Sequence, residues 1–260
     1  MAGYDINVLN LNFNPPKGNK KGVLRDVSFK INNGEFVSFI GRNGHGKSSI
    51  FKAISGELKY IKGTVQVGNC IIDQPIYKLC DGVGIVHQYV QDDIIPELSI
   101  LKNIQIRLSN CNDKKIRRQV IETNWKPKLH ARLSEFLSSD DFTPTNETLV
   151  DDLSGGQRQL LNVLISIEFE HAPSIGCKLL LLDEHLTSLD KVIQKKVMLL
   201  IHKLANRTNE KPTILMITHD FEHALMYSDS IIVIFDGSVK EIIKKSENDK
   251  WNMEYLNNAL

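Results

Sequence analysis

Eight residues, Gly41-Arg42-Asn43-Gly44-His45-Gly46-Lys47-Ser48, restrict what this chain can become more than any other feature. They fit the spacing Gly-x-x-x-x-Gly-Lys-[Ser/Thr], a loop whose backbone amides wrap phosphate groups. Residues 35–40 before it, Glu-Phe-Val-Ser-Phe-Ile, form a short apolar run suited to a strand buried in a parallel sheet. Residues 49–54 after it open a helical pattern. Strand, loop and helix in that order turn a pattern into a mechanism. Gly41, Gly44 and Gly46 lack Cβ atoms, so the backbone can approach phosphate oxygens closely. The amides from Arg42 and Asn43 through His45 to Ser49 then face the phosphates along the helix dipole. Lys47 is placed to reach the β- and γ-phosphates, and the Ser48 hydroxyl to hold Mg²⁺. A glycine turn arising by chance is the plain alternative, and the flanking strand and helix weigh against it. The His45 imidazole either lies near phosphate, titrating close to neutral pH, or is an ordinary loop side chain turned to solvent.

A second glycine loop, Leu153-Ser154-Gly155-Gly156-Gln157, stands directly ahead of a helical pattern with apolar positions at Leu160, Leu161, Leu164 and Ile167. One nucleotide does not need two such loops, unless the second serves a nucleotide held by another copy of the chain. That is the logic of a dimeric nucleotide switch.

The run Leu179-Leu180-Leu181-Leu182 reads as a strand buried on both faces, and Asp183 and Glu184 close it. Ligands of open α/β sheets bind at such carboxyl ends. Asp183 suits a Mg²⁺ ligand acting through water, and Glu184 a general base on an attacking water. Two solvated acids at a strand end are the plain alternative. A phosphate loop on another strand of the same sheet makes that poor.

Composition bounds the rest. With 260 residues, 42% hydrophobic, 24% charged and a formal net charge of +1, the chain has the profile of one soluble globular unit. Near-neutral charge argues against nucleic acid as a partner, and the basic run Lys114-Lys115-Ile116-Arg117-Arg118 reads as a solvated helix face. No apolar stretch reaches the roughly eighteen residues that cross a bilayer, and the start lacks a signal-peptide pattern. Any membrane role is therefore expected through a partner. Cys70, Cys80, Cys111 and Cys177 form no C-x-x-C pair, as in a reduced cytosolic protein. Alternating segments at residues 7–11, 24–31 and 64–67 suggest an antiparallel layer, and strands near Gly84, Leu179, Thr213 and Ile231 a parallel core sheet. Residues 89–152 turn polar and helical, including 116–122 and 129–137, and a short helix with Met253, Leu256 and Leu260 is expected at the end.

Taken together these residues resemble the nucleotide-binding subunits of ATP-binding-cassette (ABC) transporters, over nearly the whole chain from about Val8 to Val239. Residues 41–48 match the Walker A loop, Gln88 in Gly84-Ile85-Val86-His87-Gln88 the Q-loop glutamine, and Leu153 to Gln157 the signature motif. Leu179 to Glu184 match Walker B with its catalytic glutamate, Ser188-Leu189-Asp190 the D-loop, and His219 in Ile217-Thr218-His219-Asp220 the switch histidine.

The resemblance implies an α/β fold: a P-loop NTPase (RecA-like) core at residues 1–88 and 159–243, with an antiparallel β subdomain, a helical subdomain inserted at about 89–158, and a tail at 244–260. It implies a Mg²⁺-dependent ATPase working as a head-to-tail pair. ATP would lie between the phosphate loop of one copy and Ser154, Gly155, Gly156 and Gln157 of the other, with Asp190 alongside. Gln88 would contact Mg²⁺ and the attacking water, and His219 the γ-phosphate. An aromatic residue would stack on adenine, with Phe13 ahead of Tyr4. The partners implied are a second copy, an integral membrane permease and, for an importer, an extracytoplasmic solute-binding protein. This places the chain on the cytoplasmic face of the membrane. The permease's coupling helix would enter a groove at Tyr89, Val90, Ile94 and Ile95, where plain packing of the two subdomains is the alternative. Asp183-Glu184-His185 and the stretch from Met216 to Asp229 look most like amino-acid-type importer ATPases (tryptophan, tyrosine or branched-chain). Leu186 and the residues from Ser174 to Cys177 depart from that pattern. An exporter ATPase or a cytosolic assembly factor of the iron–sulfur-scaffold type is the alternative.

Overall fold

A computed structural model describes residues 3–15, 23–60, 62–109, 125–138, 143–169, 177–184, 186, 189–206, 211–247 and 249–259. The basic run at 114–118, the helical segment at 116–122, Cys111, Ser174, His185, Ser188 and Leu260 lie outside these residues.

Two sheets carry the fold. The first is antiparallel, in the order β2-β1-β4-β5, from β1 (Ile6–Phe13), β2 (Leu24–Ile31), β4 (Lys62–Val67) and β5 (Cys70–Ile71). The second has six strands in the order β10-β9-β3-β8-β7-β6. Here β3 (Phe36–Ile40), β6 (Val83–Val86), β7 (Leu179–Asp183), β8 (Thr213–Ile217) and β9 (Ser230–Phe235) pair in parallel, and β10 (Ser238–Lys244) closes the edge antiparallel to β9. The expected antiparallel layer and parallel core are both present.

The leucine run explains how the layers stack. Successive side chains of a strand point to opposite faces. Leu180 and Leu182 therefore join one apolar cluster, with Ile104, Leu133, Phe136, Leu160 and Leu164 from the helical side. Leu179 and Leu181 join a second, with Val8, Phe29 and Val65 from the antiparallel sheet and Ile50 and Phe51 from helix α1 (Lys47–Ile54). Each of the four is buried, a gain of about 2 kcal/mol apiece over exposure. Ile214 and Met216 face the first cluster and Leu215 and Ile217 the second, so β8 repeats the pattern.

Helix α2 (Ile100–Ser109) and the helices Trp125–Leu137 and Gly155–Leu164 build the helical side, and Lys191–Ala205 packs against it. The helix Gly155–Leu164 runs unbroken across residues 158 and 159. A π-helical turn, Ile165–Phe169, follows it. At the chain end the helix Met253–Ala259 seats Leu256 and Ala259 against Ile231 and Val233 of β9.

Candidate functional site

Four parallel strands deliver chemistry at one edge. The carboxyl end of β3 leads into the phosphate loop, that of β6 into His87 and Gln88, that of β7 into Asp183 and Glu184, and that of β8 into Thr218 and His219. Because β8 lies between β3 and β7, the histidine stands between the loop and the carboxylates.

The phosphate loop is held open by two glycines. A Cβ on Gly41 would lie 2.4 Å from the Ile234 carbonyl oxygen, so only glycine lets the loop press against β9. Gly46 has φ +100° and caps α1, and a Cβ there would meet Leu24 Cδ2 at 2.7 Å. Arg42, Asn43 and Gly44 are exposed along the loop, and Ser48 and Ser49 are half-buried where α1 begins. Lys47 is buried, and its ammonium donates to the carbonyls of Gly41 (2.7 Å) and Arg42 (3.1 Å). Burial holds its pKa below the ordinary lysine value, against the opposing charges of Glu184 and Asp183. A buried cation on loop carbonyls is arranged to exchange them for phosphate oxygens. His45 is half-buried. Its ring meets the edge of Phe235 at 5.1 Å, and its Nδ1 is buried without a hydrogen-bond partner.

Burial pushes the Asp183 carboxyl up to about 6, and the neighbouring charge of Glu184 adds to it. Ser48 Oγ lies 3.4 Å from Asp183 Oδ1. A hydroxyl beside a largely buried carboxylate suits Mg²⁺, which takes one or two protein oxygens and completes its shell with water and substrate phosphate. Among the described residues no group of three or more His, Cys, Asp or Glu could hold a metal alone. The site fits a cation that arrives with a nucleotide.

Glu184 has φ +44°, in the left-handed region, and its amide donates to the Ile217 carbonyl at 3.2 Å. For a non-glycine residue that conformation costs about 1–2 kcal/mol. It turns the side chain back over the strand ends. There one carboxylate oxygen meets His219 Nε2 at 2.8 Å and the other accepts from Gln88 Nε2 at 3.1 Å. A cavity of about 560 Å³ opens beside this group, walled by Thr218, His223, Gln194 and, from the C-terminal helix, Met253 and Asn257.

The second glycine loop opens its helix with a reciprocal cap. Ser154 Oγ accepts from the Gln157 amide (3.2 Å), and Gln157 Oε1 accepts from the Ser154 amide (2.9 Å). Gln157 Nε2 also donates to the Leu137 carbonyl, so both ends of this side chain are engaged in positioning the loop. A Cβ on Gly155 would meet nothing within 4 Å, whereas one on Gly156 would meet Ile193 Cγ1 at 3.0 Å. Asp190 caps the helix carrying Ile193, accepting from the amides of Val192 and Ile193.

The two adenine candidates separate. Phe13 pairs with Leu24, the residue that touches Gly46, which places it beside the phosphate loop. The Tyr4 carbonyl accepts from Thr213 at the amino end of β8, and its ring lies under Lys178 ahead of β7. That is the opposite edge of the sheet, so Tyr4 is excluded. The groove after Gln88 is present, without Ile95 in its lining. A cleft of about 360 Å³ is lined there by Tyr89, Val90, Ile94 and Pro96, but Ile94 is 2% exposed and belongs to the core. Tyr89 and Ile95 are exposed.

Two features escaped the sequence reading. The reciprocal cap was legible in Ser-x-x-Gln ahead of an apolar run. The other had no local signal: Asp93, with its side chain 3% exposed, contacts His87 in the loop after β6 and Arg107 and Asn162 on two different helices. Hydrogen bonds to Asp93 and Glu57 push the His87 imidazole up to about 10. Burial would raise the Asp93 carboxyl, but His87 and Arg107 outweigh it and hold it below the carboxylate range.

A phosphate loop, a carboxylate pair and a histidine on adjacent parallel strands, with a helical block alongside, define a P-loop ATPase of the cassette type. The ABC transporter family pattern matches residues 24–187. A tyrosine transport ATP-binding protein of Clostridioides difficile is 32% identical over 255 residues, covering 96% of each chain. An energy-coupling factor transporter ATP-binding protein of Lacticaseibacillus paracasei is 31% identical, covering 98% of this chain and 84% of its own. Among solved structures, a dimeric bacterial ABC transporter cassette superposes with a TM-score of 0.69 at 25% identity, over 92% of this chain and 98% of that one. The chain belongs to the ABC transporter family, as an ATP-binding, ATP-hydrolysing subunit. Among the described residues no helix is long and apolar enough to cross a membrane.

Proposed function

We propose that the chain hydrolyses ATP between two copies of itself and thereby drives uptake of a small solute, of amino-acid type, through a separate membrane permease at the cytoplasmic face. The observation that carries the chemistry is Glu184, gripped by His219 and Gln88 at the carboxyl edge of the sheet. The tyrosine-transport relative, matched over 96% of each chain, favours an amino-acid cargo. An extracytoplasmic solute-binding protein would complete such an importer.

The triphosphate would lie on the amides of the Gly41–Ser49 loop, with Lys47 released from the Gly41 and Arg42 carbonyls to the β- and γ-phosphates, and Phe13 near the base. Mg²⁺, held by Ser48 and Asp183 with Gln88 nearby, would neutralise charge on the phosphates. Glu184 takes a proton from the attacking water. The water oxygen bonds to the γ-phosphorus, the bond to the bridging oxygen breaks, and ADP and phosphate leave. His219 and Gln88 hold the carboxylate so that the free lone pairs face the water. Ser154, Gly155 and Gly156 of the second copy would close on the γ-phosphate through the helix start they open, with Gln157 and Asp190 fixing their approach. Tyr89 and Ile95 would offer the exposed apolar contact for the permease.

The test is isolation of the tagged full chain from detergent-solubilised membranes of its own cell. A multispanning protein in stoichiometric amount supports the reading. Recovery with a soluble scaffold protein instead would replace it with the assembly-factor alternative.

A further inference from the structure

The loop that carries Gln88 is tied down by a buried carboxylate seven residues beyond the end of β6. Asp93 Oδ2 accepts from the backbone amide of His87 at 2.8 Å, and Asp93 Oδ1 meets the His87 ring at Nδ1, 2.6 Å away. The same carboxylate accepts from Asn162 (2.7 Å) on the helix Gly155–Leu164 and from Arg107 (3.2 Å) on α2. Arg107 reaches on to the Ile85 carbonyl of β6 and to Ser166. The far nitrogen of His87 faces Glu57 at 3.3 Å, just past the end of α1, the helix that begins at the phosphate loop. Asp93 thus connects the helical block, the segment before Gln88 and the phosphate-loop helix. Its amide contact fixes the chain one residue before the glutamine.

We infer that Asp93 is a positioning residue for Gln88, setting how far the glutamine amide reaches toward Glu184 by clamping His87 to the helical block. The inference rests on the role proposed above for Gln88. Asp93 need not touch nucleotide; its carboxylate fixes the backbone origin of a flexible side chain whose amide ends 3.1 Å from the proposed general base. A helical block that shifted relative to the sheet would carry the clamp, and with it the glutamine, toward or away from the attacking water.

Steady-state hydrolysis of MgATP by the full chain tests this in two backgrounds. Asp93→Asn keeps the shape but removes the charge that faces both His87 and Arg107. We expect kcat to fall about ten- to a hundredfold, the cost of a misplaced catalytic group, with the KM for ATP within about twofold, because the phosphate loop is untouched. In a Gln88→Ala background the same substitution should change kcat no further, since the group it positions is gone. His87→Gln, which keeps the backbone amide on Asp93, should give a smaller loss with the same dependence on Gln88. If Asp93→Asn does not fold, Asp93→Glu keeps the charge, displaces the oxygens by one bond and carries the same expectation. Equal losses with and without Gln88 would reduce Asp93 to a structural tie and overturn the inference, as would wild-type kcat in the Asp93 variants. A Gln88→Ala protein at wild-type rate would instead overturn the role of Gln88 itself, and the clamp with it.

Discussion

His219 Nε2 stands 2.8 Å from Glu184 Oε1, so the carboxylate proposed as the general base is oriented by the neighbouring strand end. Gln88 holds the other oxygen. An acid gripped at both oxygens loses little freedom on reaching the transition state, and its lone pairs point where the strand ends dictate.

Glu184→Gln should keep ATP binding and lose hydrolysis by at least about a hundredfold, the share a positioned general base supplies. Glutamine can keep the contacts with His219 and Gln88 but cannot take a proton. Two chains then stay closed on uncleaved ATP, and size-exclusion chromatography at saturating MgATP should show a dimer. A monomer under those conditions would count against the two-copy site.

Lys47→Ala should act earlier, on nucleotide affinity. The contacts proposed between its ammonium and the β- and γ-phosphates are lost, at about 1.5–3 kcal/mol for a hydrogen bond to a charged group. ATP affinity by calorimetry should fall by at least about tenfold, and adding Glu184→Gln should not restore the dimer.

Ser154 has two separable duties. Ser154→Ala removes the helix cap and should cost about 1 kcal/mol in urea unfolding. Ser154→Asp keeps a capping oxygen and should unfold near wild type, yet its negative charge would face the phosphate of the other copy. In the Glu184→Gln background both variants should lose the ATP-dependent dimer. A dimer that survives Ser154→Asp would place the signature helix away from the nucleotide.

His87 makes stability depend on pH in a defined direction. Its folded pKa, about 10, lies above the ordinary value of 6.5. The imidazolium contribution is therefore complete below about pH 6.5 and lost as pH rises through about 10. Asp93 supplies the opposite limb, because its depressed pKa makes its contribution fade as pH falls through and below the carboxylate range. The gap in urea midpoint between wild type and His87→Gln should be widest near neutrality and below, and should narrow toward about pH 10. A gap independent of pH would remove the charge from this account.

The fold was legible where chemistry and periodicity coincide. Gly41 to Ser48 carry their own geometry, and four leucines ending in two acids can hardly sit anywhere but at a sheet's carboxyl edge. The side chains that hold the site in place were harder to read. Asp93 touches residues 6, 14 and 69 positions away in the chain, and nothing in Gln-Asp-Asp-Ile-Ile marks which acid turns inward. Tyr4 and Phe13 both precede the loop in sequence, and only the direction of β1 sends one to the site and the other to the far edge. Ile94 and Ile95 are adjacent and alike, yet one is core and the other exposed.

The leucines of β7 alternate between the helical side and the antiparallel sheet, so one five-residue strand is a wall of both interiors. Neither compartment can melt without exposing the other. Calorimetry of the free protein should therefore record a single endotherm, and a fragment ending before Leu179 should collapse without native cooperativity, however intact its phosphate loop.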